Sequence, residues 1–169
     1  MLLSEAIKLL DIDKIDLYCD LDGVLFDFDK KVKELLGKYP NEMDKKQLWQ
    51  ELTPHIKNGF FKSLDLKPDA EFLWSFIKKY KPTILTATGH IAAPIVAQDK
   101  IMAVHEKFGS HVKVLTVHSS NEKAKYAKPN AILIDDKEKS IRPWIDAGGI
   151  GILHKSAAKT IAKLKEYGL

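Results

Sequence analysis

Short apolar runs alternate along this chain with longer stretches in which apolar residues recur every three or four positions. The runs are Ile15 to Cys19 (IDLYC), Thr83 to Thr86 (TILT), Val112 to Val117 (VKVLTV), Ala131 to Ile134 (AILI) and Ile150 to Leu153. Runs this short, bounded by turn residues, read as buried strands. The longer stretches read as helices. Residues Ser4 to Leu10 form a short one. Phe28, Val32, Leu35, Leu36 and Tyr39 share a helical face that Pro40 and Asn41 stop. Asp44 with Gln47 has the form of a capping box ahead of Leu48 and Leu52, with Pro54 and Gly59 at the ragged end. Pro68 opens a helix through Phe72, Phe76 and Ile77, and Ile95 to Phe108 is another, stopped by Gly109. Ser119 and Glu122 repeat the capping-box pattern before a short helix running to about Ala127. Ile141, Trp144 and Ile145 share a face that ends at Gly148 and Gly149, and Ser156 caps a last helix carrying Ile161 and Leu164.

Strand alternating with helix predicts an α/β fold, a doubly wound, mostly parallel sheet with helices on both faces. With 169 residues, no internal repeat and no Gly/Ser linker, the chain reads as a single domain, 1–169. Its 45% hydrophobic and 30% charged content fits a soluble globular protein. The longest apolar stretches, such as Ile91 to Ala97, are too short to cross a bilayer. Glu5 and Lys8 interrupt the N-terminal leucines and no basic segment precedes them, which argues against a signal peptide. A lone cysteine, Cys19, excludes an internal disulfide and a multi-cysteine zinc site, and fits a cytoplasmic setting. By strand alternation Cys19 points away from Asp20, a structural position. The net charge is +4, yet Arg142 is the only arginine among 27 basic residues. That pattern suits a solvated, lysine-rich surface with weak attraction for anions, and argues against sequence-specific nucleic-acid recognition.

Ligands of such sheets sit at the carboxyl ends of the strands. The first strand ends in Asp20-Leu21-Asp22-Gly23, the second in Thr86-Ala87-Thr88-Gly89 and the fourth in Asp135-Asp136. Lys123 and Lys125 lie on the helix that feeds the fourth. Carboxylates grouped this closely repel one another without a cation, and hard oxygen donors suit Mg²⁺. One carboxylate can attack phosphorus, a second can protonate the leaving oxygen, and a hydroxyl with an ammonium can hold the phosphoryl oxygens. Glycine after the second Asp lets the backbone turn sharply beside a ligand.

At these residues the sequence resembles the haloacid dehalogenase (HAD) superfamily of phosphohydrolases, from about Ile15 to His154. DLYCDLDGVLFDF resembles the first motif, ILTATG the second and LIDD the fourth. The resemblance implies the strand order 5-4-1-2-3, with Asp20 as nucleophile and Asp22 as general acid/base. It implies Thr86 as a phosphoryl ligand, and Asp20, Asp135, Asp136 and the Asp22 carbonyl as Mg²⁺ ligands. The third-motif lysine is Lys123 or Lys125, with Lys123 nearer the helix start where the family tends to place it. An Asp at position 22 fits a phosphatase rather than an ATPase or a dehalogenase.

Within the superfamily the chain is most similar to the 5′(3′)-deoxyribonucleotidase group. The stretches that carry this are DGVLFDF, NGFFKSL followed by LKPDAEFL, HEKFG, and LIDD followed by IRPWIDAGGIGILH. This resemblance implies a small helical cap at 28–60, with Phe60 and Phe61 either near a nucleobase or packing the cap onto the core. It implies a nucleoside monophosphate as the small-molecule substrate. The cap is shorter than in the animal enzymes, and Thr86-Ala87-Thr88 replaces Thr-Ser-Pro, so recognition by Ala87, Thr88, Gly89 and His90 departs from the pattern. In that strand order His118 and His154 lie at opposite sheet edges. Trp49 and Trp74 read as cap or core packing, Trp144 as core, and Arg142 as a surface residue. Two other readings stay open: a 3′-phosphatase acting on nucleic-acid ends, and a phospho-accepting receiver-like domain.

Overall fold

A computed structural model describes residues 10–169; the short helix expected at Ser4 to Leu10 falls, but for Leu10, outside the described residues. Five strands, β1 (Asp16–Cys19), β2 (Thr83–Ala87), β3 (Val114–Val117), β4 (Ala131–Asp135) and β5 (Ile150–Leu153), form one sheet in the order β3-β2-β1-β4-β5. All pairs are parallel. Each expected run became a strand, and the order is the expected one read from the opposite edge.

Six α-helices accompany the sheet: α1 (Phe28–Leu36), α2 (Lys45–Lys57), α3 (Ala70–Ile77), α4 (Ala93–Phe108), α5 (Glu138–Asp146) and α6 (Ala157–Glu166). Strand alternation divides the core between the two sheet faces. Leu17, Cys19, Ile84, Ile132, Ile134 and Ile152 meet α3, α4, α6 and the helices that follow β1. Leu85, Ala131 and Leu133 meet Ile141 and Trp144 of α5 on the other side. The Trp144 indole donates to the Ala131 carbonyl at 3.3 Å, which satisfies its buried N–H.

Several local expectations need correction. The first helix stops at Leu36 because Gly37 adopts the left-handed conformation (φ +76°), so Tyr39 lies beyond it. α2 continues through Pro54 to Lys57, with Asp44 accepting from the N–H groups of Lys46 and Gln47 at its start. Past Pro68, α3 begins only at Ala70, and the Asp69 carboxylate accepts from the Ala157 N–H of α6 instead of capping its own helix. Ser120–Tyr126 is a 3-10 helix, and the Ser119 hydroxyl donates to the side chains of Asn121 and Glu122 rather than capping the backbone. Ile145 does not join Ile141 and Trp144 in the core; it is 48% exposed. A helix as short as α5 turns only one narrow face, that of Ile141 and Trp144, onto the sheet. Ser156 does cap α6, accepting from the Lys159 N–H.

Candidate active site

The tight turn after β1 sets the site. The N–H groups of Val24, Leu25 and Phe26 all donate to the Leu21 carbonyl, and Gly23 N–H donates to the Phe26 carbonyl. Leu21, Val24, Leu25 and Phe26 are buried, so the turn is anchored by its apolar residues while Asp20 and Asp22 stay at the rim. Gly23 sits at φ +83°. A Cβ there would lie 2.1 Å from Oδ2 of Asp136, so only glycine fits both the conformation and the space. The chain then leaves the sheet and returns beside itself. Phe26 bridges Leu66, Asp27 N–H donates to the Asp65 carbonyl, and Lys67 N–H donates to the Leu25 carbonyl. The segment between holds α1 and α2.

Register and alternation bring the acids together. Cys19 is opposite Ile134, so the next positions, Asp20 and Asp135, face each other at the ends of neighbouring strands. The Asp20 N–H donates to the Ile134 carbonyl. One carboxylate oxygen from each of Asp20, Asp135 and Asp136 lies within 4.8 Å of the others. Lys123, 2% exposed, donates to Asp20 Oδ1 at 2.9 Å and to Asp135 Oδ2 at 2.6 Å. Lys125 is exposed and stands over the Tyr126 ring, away from these acids. Of the two lysines weighed, the fold brings Lys123 to the carboxylates.

Charge crowding is visible in the acids themselves. Burial, reinforced by the charges of Asp20 and Asp135, raises the Asp136 carboxyl to about 7. Burial and the Asp20 charge also push Asp135 above the ordinary carboxylate range. For Lys123 burial works to lower the ammonium, but the charges of Asp20 and Asp135 outweigh it and raise it overall. One buried ammonium thus pairs with two members of a cluster of three carboxyl groups. Asp136 Oδ1 is buried without a hydrogen-bond partner. An all-oxygen donor set, an excess of negative charge and an unpartnered buried oxygen fit a hard divalent cation such as Mg²⁺.

A second lysine, which sequence reasoning missed, completes the rim. Lys100 of α4 is 2% exposed. Its ammonium donates to Asp22 Oδ2 at 2.7 Å, Thr86 Oγ1 at 2.9 Å and the Ala87 carbonyl at 2.9 Å. It also stands 4.6 Å from the centre of the Phe61 ring. The signal lay in the helical pattern: Val96, Lys100, Ala103 and Val104 share the buried face of α4, and a lysine on an apolar face implies a partner.

The remaining expected residues are placed less centrally. Phe60 and Phe61 are buried and pack edge-on against each other and around Phe28; only Phe61 reaches Lys100. The Thr88 hydroxyl is engaged by the carbonyls of Gly89 and Val117. His90 is exposed and stacks on His118, ring centres 5.1 Å apart. His118 and His154 follow β3 and β5 at opposite edges of the sheet. Burial pushes the Cys19 thiol well up, which keeps it inert. Among the described residues no helix is long and apolar enough to cross a membrane.

The fold is shared with solved structures. The chain has the fold of the HAD hydrolases. A HAD-family hydrolase from Deinococcus radiodurans, with bound phosphate and sodium, is similar over 90% of this chain and 96% of its own, with a TM-score of 0.57 and 11% identity. A hydrolase from Streptococcus pneumoniae matches over 89% and 97% (TM-score 0.54, 15% identity). A HAD-superfamily hydrolase from Ehrlichia chaffeensis matches over 90% and 96% (TM-score 0.53, 13% identity). No protein-family model matches the sequence, and no curated protein does. At these identities the likeness is one of fold, and chemistry must be argued from the rim itself.

Proposed function

We propose that this protein is a Mg²⁺-dependent phosphomonoesterase that works through an aspartyl-phosphate on Asp20. The observation that carries this reading is the ammonium of Lys123 shared between Asp20 and Asp135 beside the unpartnered carboxyl of Asp136. Lys123 holds Oδ1 of Asp20, which leaves Oδ2 to attack phosphorus. The leaving alcohol takes its proton from Asp22, whose side chain is 21% exposed and so open to substrate and water. Asp22 then takes a proton from the water that hydrolyses the phospho-enzyme. Thr86, Lys123 and Lys100 surround the place where negative charge moves among the phosphoryl oxygens. Asp20, Asp135, Asp136 and the backbone carbonyl of Asp22 would hold Mg²⁺. The cation would neutralise the acids and polarise the phosphoryl group.

The inserted segment, 28–60, is read as a small cap over this rim, and a nucleoside monophosphate as the substrate. The cap presents the rings of Trp49 and half-buried Phe28, backed by buried Phe60 and by Phe61 beside Lys100, as aromatic groups suited to a planar base. Phosphate release should be measured on ribo- and deoxyribonucleoside monophosphates, 5′ and 3′, beside an aryl phosphate and a 3′-phosphorylated oligonucleotide. The reading expects Mg²⁺-dependent release favouring a mononucleotide and none from Asp20→Asn. Turnover retained by Asp20→Asn sinks the chemistry. Release from the aryl phosphate alone keeps the chemistry and discards the nucleotide.

A further inference from the structure

At the opposite end of the sheet, where β2 and β3 begin, lies a groove of about 820 Å³ walled by Trp74, Phe108, Lys78, Lys79, Lys81 and Lys113. No acidic residue lines it. Among the described residues none of these four lysines forms a salt bridge. Lys79 rests its ammonium over the rings of Phe76 and Tyr80 instead. Four lysines and no acid on one concave surface make it positive. Lys81 holds the left-handed conformation (φ +49°, ψ +57°) in the turn that enters β2, a place where glycine would fit with less strain. Trp74 and Phe108 lie with ring centres 4.4 Å apart and tilted by 35°, both half-buried, and give the groove an aromatic wall.

We propose that this groove binds a nucleoside polyphosphate, with the phosphates against Lys78, Lys81 and Lys113 and the base against the Trp74–Phe108 wall. The volume lies in the range of small-ligand sites, and a bounded concavity suits one nucleotide better than a continuous strand. Arginine, the residue that reads nucleic acid best, is absent from it: Arg142 stands on α5, on the other face of the sheet. The site is separate from the catalytic rim. Strands of this length hold their two ends about 15 Å apart, so a ligand here is not the molecule presented to Asp20. The inference does not depend on the phosphatase reading.

The test is calorimetric titration with ATP, tripolyphosphate, adenosine and an oligothymidylate. The wild-type chain should bind ATP saturably, one to one, and more tightly than adenosine or tripolyphosphate. Lys81→Glu/Lys113→Glu should weaken ATP binding by about tenfold or more with the melting temperature unchanged. Lys78→Glu gives the same reading should that pair disturb the fold. Asp20→Asn should bind ATP as the wild type does. The proposal is overturned by any one of four results: no saturable binding of ATP, equal affinity in the groove variants, loss of binding in Asp20→Asn, or an oligothymidylate or tripolyphosphate that binds as tightly as ATP.

Discussion

The ammonium of Lys100 lies 2.7 Å from the carboxylate of Asp22, joining the middle of α4 to the loop that follows β1. It joins the same loop to Thr86 on β2. One buried cation thus fixes two groups that the proposed chemistry needs in register. Lys100→Met keeps the length and removes the charge. It should lower kcat/KM for phosphate release by about 10²-fold and cost about 1–3 kcal/mol of stability, since Thr86 and Ala87 lose a buried donor. Unchanged kinetics would make Lys100 a structural prop alone.

Lys123 faces a harsher balance, because it is the buried partner of two carboxylates that themselves crowd a third. Lys123→Met should destabilise the metal-free protein by about 3–5 kcal/mol, since it strands buried charge. Urea denaturation in EDTA measures this, and millimolar Mg²⁺ should restore part of the loss. A midpoint equal to the wild type would show that the acids do not depend on this ammonium.

Crowding also sets a pH dependence. The Asp136 carboxyl lies at about 7 in the fold, against 3.8 ordinarily, so the folded state holds a proton that the unfolded state has released. Stability therefore falls as pH rises from about 4 to about 7 and levels off above. Asp135, raised as well, adds in the same direction. Thermal melts in EDTA should drop by several degrees between pH 5 and 8. Mg²⁺ should flatten that profile, because a bound cation favours the ionised acids. A flat profile in EDTA would contradict the crowding.

Gly23 is the tightest point of the rim. In Gly23→Ala the added methyl would meet Asp136 Oδ2 at 2.1 Å, and the residue would also hold φ +83°. The expected outcome is a folded protein whose Mg²⁺ requirement rises by about tenfold or more, as for other changes that misplace a ligand. Mg²⁺ titration of activity, with circular dichroism as the control for folding, checks this.

The acids were legible in the sequence because each stands where an apolar run ends, and run ends are local features. Asp20 and Asp135 each follow such a run directly, and Thr86 closes one. Lys123 could be separated from Lys125 only in part, since a 3-10 helix shifts which of two nearby lysines turns inward. Lys100 was not found, although its position on the buried face of α4 was a readable anomaly. What it pairs with depends on the register of β2 against α4, which no local pattern carries. Ile145 failed for a related reason: periodicity marks an apolar face but does not say how much of it the sheet edge can cover.

The central strand β1 is made first, yet both of its sheet neighbours, β2 and β4, come later in the chain. Asp20 and its counter-ion Lys123 are 103 positions apart. While the chain is being synthesised, the loop after β1 therefore emerges long before anything can neutralise it. Loop closure over such separations is slow, and pairing of distant parallel strands comes late in folding. The acidic rim is consequently among the last parts of the molecule to become organised. A chain interrupted before β4 has Asp20 but not the strand end that positions it.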